Sequence, residues 1–316
     1  MSIRRPAVKL TVDGRELSGP EAATLIVLVE LHTAALLDRV RLSVGPLSPL
    51  LDSAPGARLE VSAGDGDDLA PVFSGVLSAV WHSPWGTTLE ALTKAAVLTR
   101  TRVGRSYVRQ QASDIVADLL SAGSVDPGEV DAGIEMAVFH VDERRTVWQH
   151  LQTLATLTGR QTASAADGSV NFTPPKTGSA DHGVRAAAEL IQWSVGGREQ
   201  GAAGPPTAAV SAAGEKGADA WHLLHHEPDG GAAALLHPAI RDRDAAQAWG
   251  DGLTRAAARL ASGGSMVIVG DPTVRAGDLV DVEDLPRGAS TYRVLAADHL
   301  LDAGGLRTRL RLEAVA

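Results

Sequence analysis

Between residues 7 and 92, apolar and polar positions alternate in short runs separated by turn-forming residues. Ala7–Val12, Asp38–Val44 and Arg58–Ser62 alternate with period two, the signature of a strand with one face in a core. Thr24–Leu31 (TLIVLVEL) is a continuous apolar run, short enough for a buried strand. The GDGDD cluster at 64–68 reads as a hairpin turn leading into Leu69–Val80, and Thr87–Leu92 continues the pattern. Turn signals at spacings of about 8–12 residues predict a small antiparallel barrel or sandwich.

The period then changes. Ile115, Val116, Leu119 and Leu120 share a helical face, with Ser113 as the expected N-cap. A second helix is expected at Thr146, where Thr146 and Gln149 have the spacing of a capping box. Val147, Trp148, Leu151, Leu154 and Ala155 form its apolar stripe, and Gly159 is placed to end it in the left-handed conformation. Strand-like pieces at Ala137–Val141 and Ser169–Thr173 flank this helix.

Residues 196–217 are rich in Gly, Ala and Pro, with one weak strand at Thr207–Ser211; Ala220–His226 is another. A third helix is predicted over about 244–261, with Asp244 and Gln247 at capping-box spacing and Trp249, Leu253, Ala256 and Leu260 on one face. Strands return at Met266–Val269, Asp278–Val282, Thr291–Leu295 and Thr308–Ala314. The expected fold class is α+β, mainly β. Residues 1–98 form a first β unit, 99–190 a small α+β unit, and 191–316 a second β unit with one helix.

Composition narrows the functions. The chain of 316 residues has 44% hydrophobic residues, enough for a real core, but only 3% aromatic ones, so that core is aliphatic. A net charge of −9 argues against a general nucleic-acid binder, which must neutralise phosphates. With no cysteine, disulfides, thiolate metal sites and cysteine nucleophiles are excluded. No apolar run reaches the roughly 20 residues of a membrane span. Arg4 and Arg5 resemble a twin-arginine signal, but no apolar region follows them, so the chain is expected to stay in the cytoplasm during assembly.

Motifs for chemistry are sparse. The phosphate loop, the dinucleotide fingerprint, H-E-x-x-H and the nucleophile elbow are all missing. His222, His225, His226 and Glu227 form the densest constellation. On a helix, His222 and His226 would share a face and suit a metal; on a strand they lie about 13 Å apart, too far for one ion. The Leu223–Leu224 pair and the Pro228–Gly231 turn favour the strand. Asp65, Asp67 and Asp68 lack the loop length and terminal Glu of an EF-hand and read as a solvated hairpin tip. Asp142, Glu143, Arg144 and Arg145 precede the capped helix, as loop charge or as a subunit contact. Trp81 and Trp85 flank a Ser83–Pro84 turn, as core or interface residues or as a sugar-stacking pair. No catalytic residue, cofactor-binding residue or metal ligand is assigned.

Three stretches together resemble the late control D family of phage tail proteins. Pro71–Thr93 (PVFSGVLSAVWHSPWGTTLEALT) is similar to its F-x-G-x-V strand pair and following strand, with Tyr107–Leu120 as the next helix-forming stretch. Phe139–Gly159 carries W-x-x-L-x-x-L-A-x-x-x-G. From Gly270 to Leu312, Gly270–Pro272, Gly277–Val280, Tyr292–Val294, His299 and Thr308–Leu310 follow the family's last pattern. The resemblance runs over roughly residues 20–315 and extends to the N-terminal hub part of VgrG spike proteins.

The resemblance implies two tail-tube-like antiparallel β-barrels with an α+β unit between them. It implies a homotrimeric baseplate hub, a symmetry adaptor joining a hexameric inner tube to a trimeric spike. Such a chain belongs to the baseplate of a phage tail or contractile injection particle, contacts other baseplate proteins, and is not an enzyme. Because the second β unit ends near Ala316, the spike is expected to be a separate protein. Two other classes stay open: a cell-wall or glycan-directed hydrolase, which needs a carboxylate pair or a metal in a cleft, and a carbohydrate-binding module built on Trp81 and Trp85. The negative charge is compatible with a lumen along which DNA or an acidic effector slides without sticking.

Overall fold

Where side chains alternate along the chain, strands form. In the computed structural model, which describes residues 5–33, 37–197, 207–213, 221–225, 234–241, 243–285 and 290–315, the fold is mainly β and of the α+β class. The first strands are β1 (Pro6–Val12), β2 (Arg15–Ser18), β3 (Thr24–His32), β4 (Arg39–Val44), β5 (Arg58–Asp65), β6 (Asp68–Ser83) and β7 (Gly86–Thr93), followed by a 3-10 helix at Lys94–Thr99. The middle holds β8 (Arg105–Gln111), α1 (Ala112–Ser121), β9 (Pro127–Val130), β10 (Glu135–Val141), α2 (Val147–Leu157), β11 (Gln161–Ser164) and β12 (Val170–Thr173). Then come β13 (His182–Arg185), α3 (Ala186–Glu189), β14 (Leu190–Gly197), β15 (Thr207–Ala213), β16 (Trp221–His225) and β17 (Ala234–Leu236). The last elements are α4 (Arg243–Ala261), β18 (Ser262–Val269), β19 (Leu279–Glu283), β20 (Thr291–Asp302) and β21 (Gly305–Ala314).

Thirteen strands hydrogen-bond into one sheet in the order β14-β18-β21-β20-β3-β4-β7-β6-β5-β1-β2, with β19 joined to β20 and β13 to β19. The β13–β19 pair is parallel; the junction between the early and late strands is the antiparallel pair β20–β3. One core lies under this sheet, with Val27, Val29, Leu31, Val40, Leu42, Leu59, Tyr292, Val294 and Leu310 among its buried members. A second core gathers α1, α2, β10, β12 and α4 around Leu119, Leu151, Phe139, Phe172 and Trp249. Ala245, Ala246 and Trp249 of α4 are buried in this second core, so that helix packs on the middle of the chain, not under the sheet.

Helix ends show which sequence signals act. Thr146 caps α2 with a complete box: its Oγ1 accepts from the Gln149 N–H at 3.3 Å, and Gln149 Oε1 accepts from the Thr146 N–H at 2.9 Å. At the other end Gly159 takes φ +66°, and the Arg160 and Gly159 N–H groups donate to Ala155 O (2.8 Å) and Thr156 O (3.3 Å), a Schellman pair. Two expected caps are corrected. Helix α1 starts at Ala112, one residue before Ser113, and the Ala112 and Ser113 N–H groups donate to Ile134 O and Ala132 O. A neighbouring loop thus satisfies the helix end without a side chain. Asp244 lies inside the first turn of α4, which begins at Arg243.

The apolar run at Thr24–Leu31 is a strand, but not one buried on both faces. Val27, Val29 and Leu31 enter the core, whereas Leu25 and Ile26 are 54% and 43% exposed.

Candidate assembly surface

Pleating carries exposed residues of four strands to one end of the sheet. The register Ile26–Ser43–Thr88–Trp81 runs as a row across β3, β4, β7 and β6, and partners in a row share a face. Trp81 is 51% exposed in this row. Pro84 and Trp85 form the two-residue loop between β6 and β7, and Trp85 is 84% exposed. Ser83 Oγ fixes the loop by donating to Gly86 O at 3.0 Å and accepting from the Trp85 N–H at 3.3 Å. A Cβ on Gly86 would sit 2.1 Å from Val44 O, so this glycine lets the loop rest against the end of β4. Leu47, 91% exposed, lies three residues beyond the end of β4. Leu25, Ile26, Leu47, Trp81 and Trp85 together make an uncovered apolar end. Large exposed apolar residues gathered in one place are typical of contact surfaces, with Trp the most frequent anchor.

The β20–β3 junction carries a charged row on its outer side: Arg309, Asp298, Glu30 and Arg39 follow one another across β21, β20, β3 and β4. Arg39 grips Glu30 through both carboxylate oxygens, Nη2 to Oε1 at 2.9 Å and Nε to Oε2. Burial opposes ionisation of Glu30, yet Arg39 holds its carboxyl below the ordinary range. Burial and the neighbouring Glu30 raise that of Asp298. Arg311 Nη2 donates to His32 Nδ1 at 2.9 Å, and burial followed by Arg311 lowers the proton affinity of His32. Ligand atoms of Glu30, His32 and Asp298 lie within 4.8 Å of one another. Arg39 and Arg311 already donate to the ligand atoms of Glu30 and His32, and Arg309 lines the same cavity, so the group reads as an ion-pair network at the junction.

Behind the sheet, Arg275 links three regions. Its Nη1 donates to Val72 O at 3.0 Å and its Nη2 to Ser164 O at 3.3 Å. Asp38 is buried, which pushes its carboxyl up to about 7 against the hydrogen bond from the His32 N–H at 2.7 Å. A second cluster clamps residues 176–182 to the loop before β19. Asp278 accepts from Lys176 Nζ (2.8 Å) and His182 Nε2 (3.1 Å). The Asp278 hydrogen bond raises the proton affinity of His182 against partial burial.

The residues singled out in the sequence are scattered. His299 is buried on β20; its Nε2–H donates to Val274 O at 3.0 Å, which leaves Nδ1 to accept from the Thr308 hydroxyl at 3.0 Å. Burial, then Arg275, lowers its proton affinity to about 4, so it is a neutral structural group. Tyr292 is buried, and Gly277 takes φ +101° while its N–H donates to Val294 O at 2.7 Å. His222 and His225 lie on β16; His226 and Glu227 fall outside the described residues. The turn between β5 and β6 is Gly66–Asp67, and Asp65 Oδ1 accepts from the Arg5 N–H. Asp142 Oδ1 accepts from the Arg144 N–H at 2.8 Å. Trp81 and Trp85 are not core residues: Trp81 stands half-exposed within the four-strand row, and Trp85 sits in the loop that joins β6 to β7. Leu25, Ile26, Leu47 and Arg275 were not singled out; Leu25 and Ile26 had as their signal an apolar run longer than one buried face needs, whereas Leu47 and Arg275 carried no local signal.

No protein-family profile and no curated protein sequence matches the chain. Solved structures do match. A tail protein of Neisseria meningitidis MC58 superposes with a TM-score of 0.76 at 13% identity, over 98% of this chain and 96% of that one. The 43 kDa tail protein of prophage MuSo2 from Shewanella oneidensis gives 0.72 at 14% identity, over 98% of each chain. The E. coli c3393 protein, a component of the type VI secretion system described as structurally similar to the T4 bacteriophage tail proteins gp27 and gp5, gives 0.59 at 11% identity, over 93% and 74%. The chain has the mainly β, α+β fold of phage tail proteins.

Proposed function

We propose that this protein is a structural baseplate hub of the late control D type, in a contractile tail or injection particle. In this reading it is a homotrimer, docks a hexameric inner tube on one side and a separate trimeric spike on the other, and has no enzymatic activity. Residues 1–98 and 191–316 act as the two tube-like units, and 99–190 as the insertion between them. The observation that carries it is the end-to-end likeness to tail proteins, over 98% of the chain. The uncovered apolar end at Trp81, Trp85, Leu25, Ile26 and Leu47 supports it, because a closed ring needs large, partly apolar contacts. The described part of β14 lies at one end of the sheet path with Ile191 and Trp193 exposed, and an open edge of this kind invites a further strand. Co-purification with the neighbouring tube and spike proteins, followed by mass and symmetry determination, tests the reading; a monomer that binds neither overturns it.

The exposure of both tryptophans on one hairpin favours one second reading, a carbohydrate-binding module. Glycan-array binding lost in a Trp81→Ala, Trp85→Ala double variant supports it, and no glycan binding by the unaltered protein removes it. For a hydrolase, Glu30 and Asp298 are one adjacent carboxylate pair, but Arg39 occupies both oxygens of Glu30; Asp181 and Asp278 are another, and Lys176 bonds both.

A further inference from the structure

A cavity of about 250 Å³ opens between β10, the turn before α2, α2 itself and the segment 237–241 leading to α4. Its charged and titratable lining is His140 from β10, Asp142 and Arg145 from the turn, His150 from α2, and His237 and Arg241 from the last segment. Among the described lining residues, two guanidinium groups and three imidazoles stand against one carboxylate, in a chain whose net charge is −9. The Asp142 carboxylate is already engaged by the Arg144 N–H.

The hydrogen bonds leave donors free for a ligand. Arg145 uses Nη2 for both of its bonds, to Thr153 Oγ1 at 2.7 Å and Gln149 O at 3.2 Å, so Nη1 and Nε remain. Arg241 spends Nε on Pro238 O at 3.1 Å, which leaves its two terminal nitrogens. The His237 Nδ1 accepts from the Ala239 N–H at 3.2 Å, so the neutral ring carries its proton on Nε2 and is a donor there. Its ring is held edge-on to Trp249 at 6.1 Å. Burial, then the charge of Arg145, lowers the proton affinity of His237, so the arginine's field reaches this ring. His150 is fixed by its Nε2–H on Asp142 O at 3.0 Å and by edge contact with Phe139 at 6.5 Å. Two guanidinium groups lining one cavity disfavour a metal cation, and planar guanidinium forks match oxyanions.

We propose that this cavity is an oxyanion site that binds one carboxylate or phosphate group, with Arg145 and Arg241 as its charged fork and His237 as a neutral donor. A water takes about 30 Å³ of liquid volume, so the space fits a small dicarboxylate, inorganic phosphate or one acidic side chain. The oxyanion arrives free in solution or on an acidic side chain of a neighbouring protein.

The test is a titration of the full chain near neutral pH, read from the imidazole resonances by NMR, with inorganic phosphate, with succinate and with a short glutamate-containing peptide. Saturable shifts of His237 and His150, with buried His299 unmoved, are expected. Arg241→Gln should weaken binding roughly ten-fold or more with an unchanged melting temperature, the loss of a charge-assisted hydrogen bond. Saturation by phosphate or succinate alone assigns a free anion; saturation by the peptide as well assigns an acidic side chain. Shifts that only grow linearly with all three probes, or that saturate equally in Arg241→Gln, overturn the proposal.

Discussion

Asp38 and His299 both feel the charge of Arg275 and pull the stability in opposite directions with pH. The buried Asp38, with its carboxyl at about 7, keeps its proton in the native state after the unfolded chain has released it. Its contribution therefore falls as pH rises from about 4 to about 7. The buried His299, at about 4, stays neutral where the unfolded imidazole is already charged, so its contribution is lost as pH falls from about 6.5 to 4. Asp38→Asn keeps an oxygen for the His32 N–H and removes the first slope. It is expected to raise the melting temperature by several degrees at about pH 8 and to leave it nearly unchanged at about pH 4. Equal shifts at both pH values in a thermal melt would show that Asp38 is not held protonated. In the sequence His299 stood out only as one position of the family's last pattern. Asp38 and Arg275 did not stand out, because the burial that perturbs them comes from residues far apart in the chain, Val72 and Ser164 among them.

At the level of elements, local signals were legible where the chain satisfies its own backbone. The capping box at Thr146 and the turn at Gly159 formed as written, and Thr146→Ala should cost about 1 kcal/mol in denaturant unfolding. Ser113→Ala should cost nothing measurable, since Ile134 O and Ala132 O receive the N–H groups at that helix end; a loss comparable to Thr146→Ala would contradict this account. Gly159→Ala should cost more than the roughly 1 kcal/mol of a strained left-handed residue, because its Cβ would also stand 2.8 Å from Ala248 O. A melting temperature within a degree of the unaltered protein would sink that claim. Strands with clean alternation, such as β4 and β5, were legible as well. β13 and β14 were not: β13 has four residues, and its parallel partner β19 begins almost a hundred residues later. The apolar run of β3 gave the strand but not its exposed start, since sequence does not say whether a neighbour covers Leu25 and Ile26.

For the whole molecule, the sheet path places early and late strands side by side through β20 and β3, and the apolar end lies on the early strands. Trp85 and Leu47 pack against little within the chain, so Trp85→Arg and Leu47→Asp should each change stability by no more than about 0.5 kcal/mol. Together they should abolish assembly with a partner ring while leaving the melting temperature intact. Assembly unchanged in the double variant, by sedimentation with the tube and spike proteins, would assign this end a different role. The fold class was legible because strand and helix periods are local. The apolar end was visible in the sequence only as unexplained apolar residues, because which of them stay exposed is decided by the fold and not by the local pattern.

The most direct measurement is the mass and symmetry of the purified chain with its neighbouring tube and spike proteins, by light scattering and electron microscopy. The hub account predicts a threefold ring of about 98 kDa, three times the 32.7 kDa chain, with a hexameric tube on one face. A monomer that binds neither protein would contradict it.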